Sequence, residues 1–195
     1  MAVPHRVKEK VYPLHFGATP SIGEYTMPLI LHKIFLEKPT ANISMFVENT
    51  HILQEMVWEG KIDFALLEGQ FNQQEFAHKS IPNEVSIAIC SPGNNLAKKA
   101  NLLEDLLDQQ LILWEPRNGP RDTLELALYN RNLHIDDFTG KTHITNMNVI
   151  KTLCHQNIGF TFMYREAVKK ELVTGYLVEI PLVIFIFNIP LISFT

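Results

Sequence analysis

Cysteine is scarce in this sequence: Cys90 and Cys154 are the only two in 195 residues, far apart and without C-x-x-C spacing. That argues against a disulfide-stapled scaffold and a cysteine-based zinc site, and leaves two reduced thiols acting as small hydrophobes. Charge is modest as well. Lys and Arg total 17 against 21 Asp and Glu, a net charge of −4. A domain that grips nucleic acid through phosphate is usually basic, so this chain is not expected to hold DNA or RNA by itself. Long apolar runs are also missing. The run PLVIFIFNIPLISF near the C-terminal end contains Pro181 and Pro190 and is shorter than the roughly 20 residues a spanning helix needs. Its Val, Ile and Phe content reads as buried strand rather than membrane anchor. The stretch MAVPHRVKEKVYPLHF has charges but no apolar core, so no secretory leader is expected and the location read is cytoplasmic.

What is present is an ordinary globular composition, 46% apolar and 19% charged, with strand-like and helix-like segments in alternation. The first half reads as strand 11–18, helix 22–38, strand 42–49, helix 50–63, strand 64–69 and strand 83–93, the last stopped by Pro92-Gly93. Thr50 is the expected N-cap of its helix and Gly60 its end; Pro28 predicts a late start or a kink in helix 22–38. In that helix Ile22, Tyr25, Leu29, Ile30, Ile34 and Phe35 form the expected core stripe, and Met27, Leu31 and Leu36 lie beside it. The second half reads as a short helix 102–109, strand 110–116 and helix 120–132 with Pro120 at its first position. A weaker strand at 141–145, helix 146–157, strand 158–164, helix 165–175 and a strand from Tyr176 to Phe187 follow. Such alternation implies an α/β fold of parallel βαβ units, here two lobes divided near Pro92-Gly93.

The chemistry search returns little. GKT at 140–142 resembles the end of a phosphate-binding loop, but Ile135 stands where that loop needs its first glycine. There is no G-x-S-x-G elbow, no G-x-G-x-x-G and no H-E-x-x-H, and the eight histidines are scattered. Lone histidines such as His143 and His155, and adjacent carboxylates such as Glu104-Asp105 and Asp136-Asp137, read as packed or solvated surface. No catalytic residue, metal ligand or cofactor is expected.

The informative pattern is polar clustering after strands. FGATPSIGEYTMP places Thr19, Pro20 and Ser21 where a strand hands over to a helix; Asn49-Thr50 and Glu68-Gly69 follow the next two strands. In the second half Arg117-Asn118-Gly119 follows LILWEP, and Thr145-Asn146 precedes a helix. Each cluster alone reads as a helix cap. Their recurrence at the carboxyl ends of strands, where helix N-termini offer free N–H groups, points to a ligand cleft. Ser21 or a neighbour would cap, while Thr19 and Ser21 would also line the site.

At these residues the sequence resembles the effector-binding domain of LysR-type transcriptional regulators. GATPSIGEYTMP, VENTHILQEMVWEGKIDFALLEG, VSIAICSPGNNLA, WEPRNGPRDTLE and NMNVIKTLCHQNIGFTFMYREAVKKEL carry the likeness in order along nearly the whole chain. The resemblance implies two Rossmann-like lobes of the type 2 periplasmic-binding-protein kind. The first would take 11–85 with a return segment 186–195, the second 86–185, and VSIAICSPG and PLVIFIF would be the hinge crossovers. It implies a cytoplasmic, effector-sensing regulatory domain whose cleft is lined by Thr19, Pro20, Ser21, Asn49, Thr50, Trp114, Pro116, Arg117, Asn118, Thr145 and Asn146. Arg117 stands where the family often has a glycine, which favours an anionic small-molecule effector. It further implies a homodimer through helices 22–38 and 120–132, the latter with Leu124, Leu126, Leu128 and Tyr129. The family's N-terminal helix-turn-helix is not seen ahead of the first strand, so contact with DNA is expected only through such a domain. The C-terminal part of the first lobe reads as cut short, which would uncover apolar surface. Two other classes share the fold: a transporter's solute-binding protein and an enzyme with an unfamiliar site.

Overall fold

The computed structural model describes residues 13–68, 76–99, 101–114, 119–182 and 187–194. Three strands near the start, β1 (Leu14–Ala18), β2 (Ile43–Val47) and β3 (Phe64–Glu68), are parallel, with β1 between the other two. The connections are α1 (Met27–Glu37) and α2 (Thr50–Trp58). Antiparallel strands follow in the sheet order: β3 pairs with β9 (Phe187–Phe194), β9 with the long β4 (His78–Cys90), and β4 with β7 (Thr161–Tyr164). Short β8 (Val178–Glu179) also pairs with β4. A second sheet is formed by parallel β5 (Gln110–Leu113) and β6 (Gly140–His143), tied to the chain before β7 by a bridge from Leu111 to Phe160. Around them run α3 (Gly119–Tyr129), α4 (Met147–His155) and α5 (Lys169–Thr174).

Parallel pairing holds for β1–β3 and for β5–β6, but β4 and β9 run antiparallel to each other and to their neighbours, so the main sheet is mixed. The expected strand 83–93 starts five residues earlier, at His78, because β9 pairs with it from that point. A register shift between Ile81 and Glu84 accommodates Pro82, which has no N–H to give the ladder. The expected strand 176–187 is instead the two-residue β8 and a later β9, with residues 183–186 outside those described. The expected helices 102–109 and 165–175 each shorten: the first to one turn, Leu103–Leu106, the second to a turn at Glu166–Val168 before α5. Gly175, at φ 70°, closes α5 as a left-handed cap.

Helix 22–38 differs in a way that moves its apolar face. Ile22–Thr26 forms a wide turn in which the N–H of Met27 donates to the carbonyl of Ile22, and the α-helix proper starts only at Met27, beside Pro28. A turn closed five residues apart holds one residue more than an α-helical one, so the face read from Ile22 onward slips by about 100°. Met27 is therefore buried, and Leu29, Ile30, Phe35 and Leu36 are exposed, the reverse of the expected stripe for Leu29, Ile30 and Phe35. In α3, Leu124 and Leu128 are core residues while Leu126 and Tyr129 face outward.

The largest buried cluster is drawn from residues 87–180, including Ile89, Leu111, Ile150, Cys154 and Phe160. Smaller clusters gather Phe16, Ala18, Ile22 and Met27, and Leu53, Ile62, Ala65 and Leu67. One close approach in the large cluster demands a glycine. A methyl group on Gly159 would fall on the backbone carbonyl oxygen of Gln110, which also accepts from the N–H of Phe160 at 3.0 Å. Overpacking a backbone atom cannot be relieved by a rotamer change, so Gly159→Ala is expected to cost about 3 kcal/mol. Urea unfolding of the variant measures it.

Candidate functional site

The carboxyl ends of β1 and β2 lie side by side. Thr19 donates its backbone N–H to Leu66 at 3.1 Å, and Glu48 donates to Ala18 at 3.3 Å, which sets Thr19 next to the start of α2. The ends of β5 and β6 pair likewise: Leu113 is in register with His143, and Ile144 donates to Leu113 at 2.8 Å. Trp114 thus neighbours the segment leading through Thr145 and Asn146 into α4. The sequence-predicted residues therefore fall in two groups, Thr19 to Ser21 with Asn49 and Thr50, and Trp114 with Thr145 and Asn146. Pro116, Arg117 and Asn118 lie outside the described residues.

Within each group the roles divide. Asn49 Oδ1 accepts from the N–H of Ile52 at 3.1 Å, and Asn146 Oδ1 accepts from that of Val149 at 3.1 Å. Both are helix caps, so Asn49 and not Thr50 caps α2; Thr50 is its first helical residue. Ser21 is buried but does not cap, because its backbone is already helical (φ −64°, ψ −42°) and a cap needs an extended one. Pro20 is half-buried and Thr145 exposed.

Thr19 and Trp114 are different. Thr19 is 2% exposed and Trp114 4% exposed, yet Thr19 Oγ1 and Trp114 Nε1 have no hydrogen-bond partner among the described residues. A buried polar atom left unpaired costs about 1–3 kcal/mol. Each group thus carries one costly, unspent hydrogen-bonding atom at the end of a parallel strand.

Two residues that sequence reading missed, Arg121 and Lys151, organise the surroundings. Arg121, at the start of α3, donates Nη1 to the Trp114 carbonyl at 3.2 Å and to His143 Nδ1 at 2.9 Å, and Nε to Glu125 at 2.8 Å. Since a guanidinium only donates, His143 Nδ1 accepts here. Lys151, 3% exposed in α4, donates to Tyr25 Oη at 2.9 Å, to Glu171 Oε1 at 2.9 Å and to the Ala167 carbonyl. Its ammonium also lies 4.3 Å from the Tyr25 ring centre. No motif marks these residues. Arg121 with Glu125 at i, i+4 was the one readable hint.

A cavity of about 610 Å³ lies elsewhere, along the outer side of α3, lined by Arg121, Asp122, Glu125, Tyr129, His134 and Asp136. Burial, then the charge of Glu125, pushes the Asp122 carboxyl up, against the pull of Arg121. Three carboxylates make it a poor seat for an anion, and its size alone does not make it the ligand site. The thiols are no nucleophiles: burial pushes Cys90 up to about 11, and burial with the nearby Cys90 pushes Cys154 up to about 12. Among the described residues no helix is long and apolar enough to cross a membrane.

A family model, the LysR substrate binding domain, matches residues 9–190. The HTH-type transcriptional regulator YeiE of Escherichia coli K12 is 23% identical over 163 residues, covering 84% of this chain and 55% of its own length. This chain thus spans little more than half of that relative. The regulatory domain of Synechocystis PCC6803 CcmR in complex with 2-PG superposes with a TM-score of 0.78 at 15% identity, over 94% of this chain and 86% of the other. The effector-binding domain of QuiR in complex with shikimate gives a TM-score of 0.77 at 15% identity, over 94% and 88%. The type 2 periplasmic-binding-protein-like α/β architecture is shared with both.

Proposed function

The chain belongs to the LysR substrate binding domain family, and from that premise we propose that it senses a small anionic metabolite between two lobes and passes the signal on as a homodimer. The lobes would be 11–85 with 186–195, and 86–185, joined by the crossovers 85–93 and 181–187, the second of which lies largely outside the described residues. The observation that carries the reading is the pair of unspent atoms, Thr19 Oγ1 in the first lobe and Trp114 Nε1 in the second. An indole N–H can only donate and a hydroxyl can do either, so the complementary ligand presents acceptor oxygens to both lobes. Asn49 and Asn146 cap α2 and α4, the helices that follow the strands paired with β1 and β5, and the dipoles of these helices favour negative charge at that edge. The related CcmR and QuiR domains are known with 2-PG and shikimate bound.

The dimer reading rests on the outward faces of α1 and α3. Leu29, Ile30, Phe35 and Leu36 on one, and Leu126 and Tyr129 on the other, are more apolar surface than a solvated helix presents. Binding of DNA and any choice of promoter would lie with a segment beyond this chain, and no chemical turnover is assigned to it. A melting screen against small carboxylates, phosphates and sulfonates tests the sensing role. Occupancy at 100 times Kd stabilises the fold by about 2.7 kcal/mol. A saturable rise in Tm with one anion, absent with its neutral amide or alcohol, is the expected result; equal response to the neutral analogue counts against an anionic effector.

A further inference from the structure

We propose that Tyr25, Lys151 and Glu171 form a clasp that fixes the separation of the two halves of the molecule. The wide turn Ile22–Thr26 is rooted in the first half, since Ile22 and Met27 are buried against Phe16 and Ala18. Tyr25, between them, instead packs against the large cluster of residues 87–180. A single turn thus belongs to two cores, and its π-type geometry, a form frequent at functional sites, is what swings one side chain away from its neighbours.

At the tip of Tyr25 waits a buried cation. The Lys151 ammonium has three hydrogens and three acceptors: the Tyr25 hydroxyl, the Ala167 carbonyl and Glu171 Oε1. Two acceptors come from its own half of the molecule and the third comes from 126 residues away in sequence. The Tyr25 ring under the ammonium adds a cation–π contact, which strengthens as the pair is desolvated. Sliding the halves apart would strip Lys151 of one acceptor and of the ring at once, while leaving it buried against Glu171. Any intermediate opening is therefore costlier than full closure or full release, and this gives the joint two states rather than a continuum. The clasp needs no ligand and stands whether or not an effector binds at Thr19 and Trp114.

Spin labels at Glu59→Cys, at the end of α2, and Gln156→Cys, at the end of α4, report the separation by pulsed dipolar spectroscopy. Both positions are exposed, the native thiols are buried and stay unlabelled, and dilution with unlabelled chain isolates the distance within one molecule. The otherwise unmodified chain is expected to give one narrow distance distribution. Tyr25→Ala, which removes hydroxyl and ring from a half-buried position, should add a second, longer component. Tyr25→Phe, which keeps the ring, should add a smaller one. A broad distribution before any change at Tyr25, or a Tyr25→Ala distribution as narrow and as centred as the parent, would overturn the clasp. Lys151→Met should behave like Tyr25→Ala.

Discussion

Thr19→Val is expected to move folding and binding in opposite directions. Valine matches threonine in shape and removes the unpaired buried hydroxyl, so without ligand the variant should be about 1 kcal/mol more stable, the lower end of what such an atom costs. Binding of the anion found in the melting screen should weaken by about 1.5–3 kcal/mol, on the order of ten- to a hundredfold, because a hydrogen bond to a charged group is lost. Trp114→Phe should weaken binding similarly, with part of its stabilising effect offset by the smaller ring. Paired urea unfolding and calorimetric titration separate the two signs. If Thr19→Val destabilises the free chain, the hydroxyl has an internal partner and is not waiting for a ligand.

Glu171→Ala is expected to be the most destabilising single change among charged residues described. Lys151 would stay buried with its countercharge gone, and breaking a buried ion pair from one side typically costs about 3–5 kcal/mol. Glu171 itself is 20% exposed at the side chain, so water can enter, and the loss should sit near 3 kcal/mol. For a domain of this size that corresponds to a fall in Tm of about 6–12 °C. Lys151→Met should cost much less, since it removes the charge along with its partner's obligation and keeps the volume. By contrast Lys169, paired with Glu166 at the surface, should be worth under about 1 kcal/mol. Equal losses for Glu171→Ala and Lys151→Met, measured by calorimetry, would mean that packing and not charge holds this corner.

The sequence was most legible where local chemistry decides. The strand ending at Ala18 follows from an apolar run that stops at polar residues, and that places Thr19 at a strand end without any structure; the strand read as 110–116 stops instead at Leu113, which puts Trp114 just past its end rather than inside it. The caps at Asn49 and Asn146 were legible as polar clusters, although the choice of Asn49 over Thr50 depended on which residue keeps an extended backbone. What could not be read is anything set by distant partners. A lysine in the middle of NVIKTL looks solvated, and only Tyr25, far upstream, shows that it is buried. The face of α1 was lost for a related reason: the wide turn at Ile22–Thr26 shifts the helical phase, and nothing in IGEYT announces it. Antiparallel β4 and β9 were misread because a crossover strand and a parallel strand share the same Val, Ile and Phe content.

The most direct measurement of the central claim, that a small anion bridges Thr19 and Trp114, is a crystal structure of the chain with the strongest anion from the melting screen. The account predicts ligand oxygens within hydrogen-bonding distance of both Thr19 Oγ1 and Trp114 Nε1, next to the N-termini of α2 and α4. An anion seated elsewhere, with both atoms still unpaired, would contradict it.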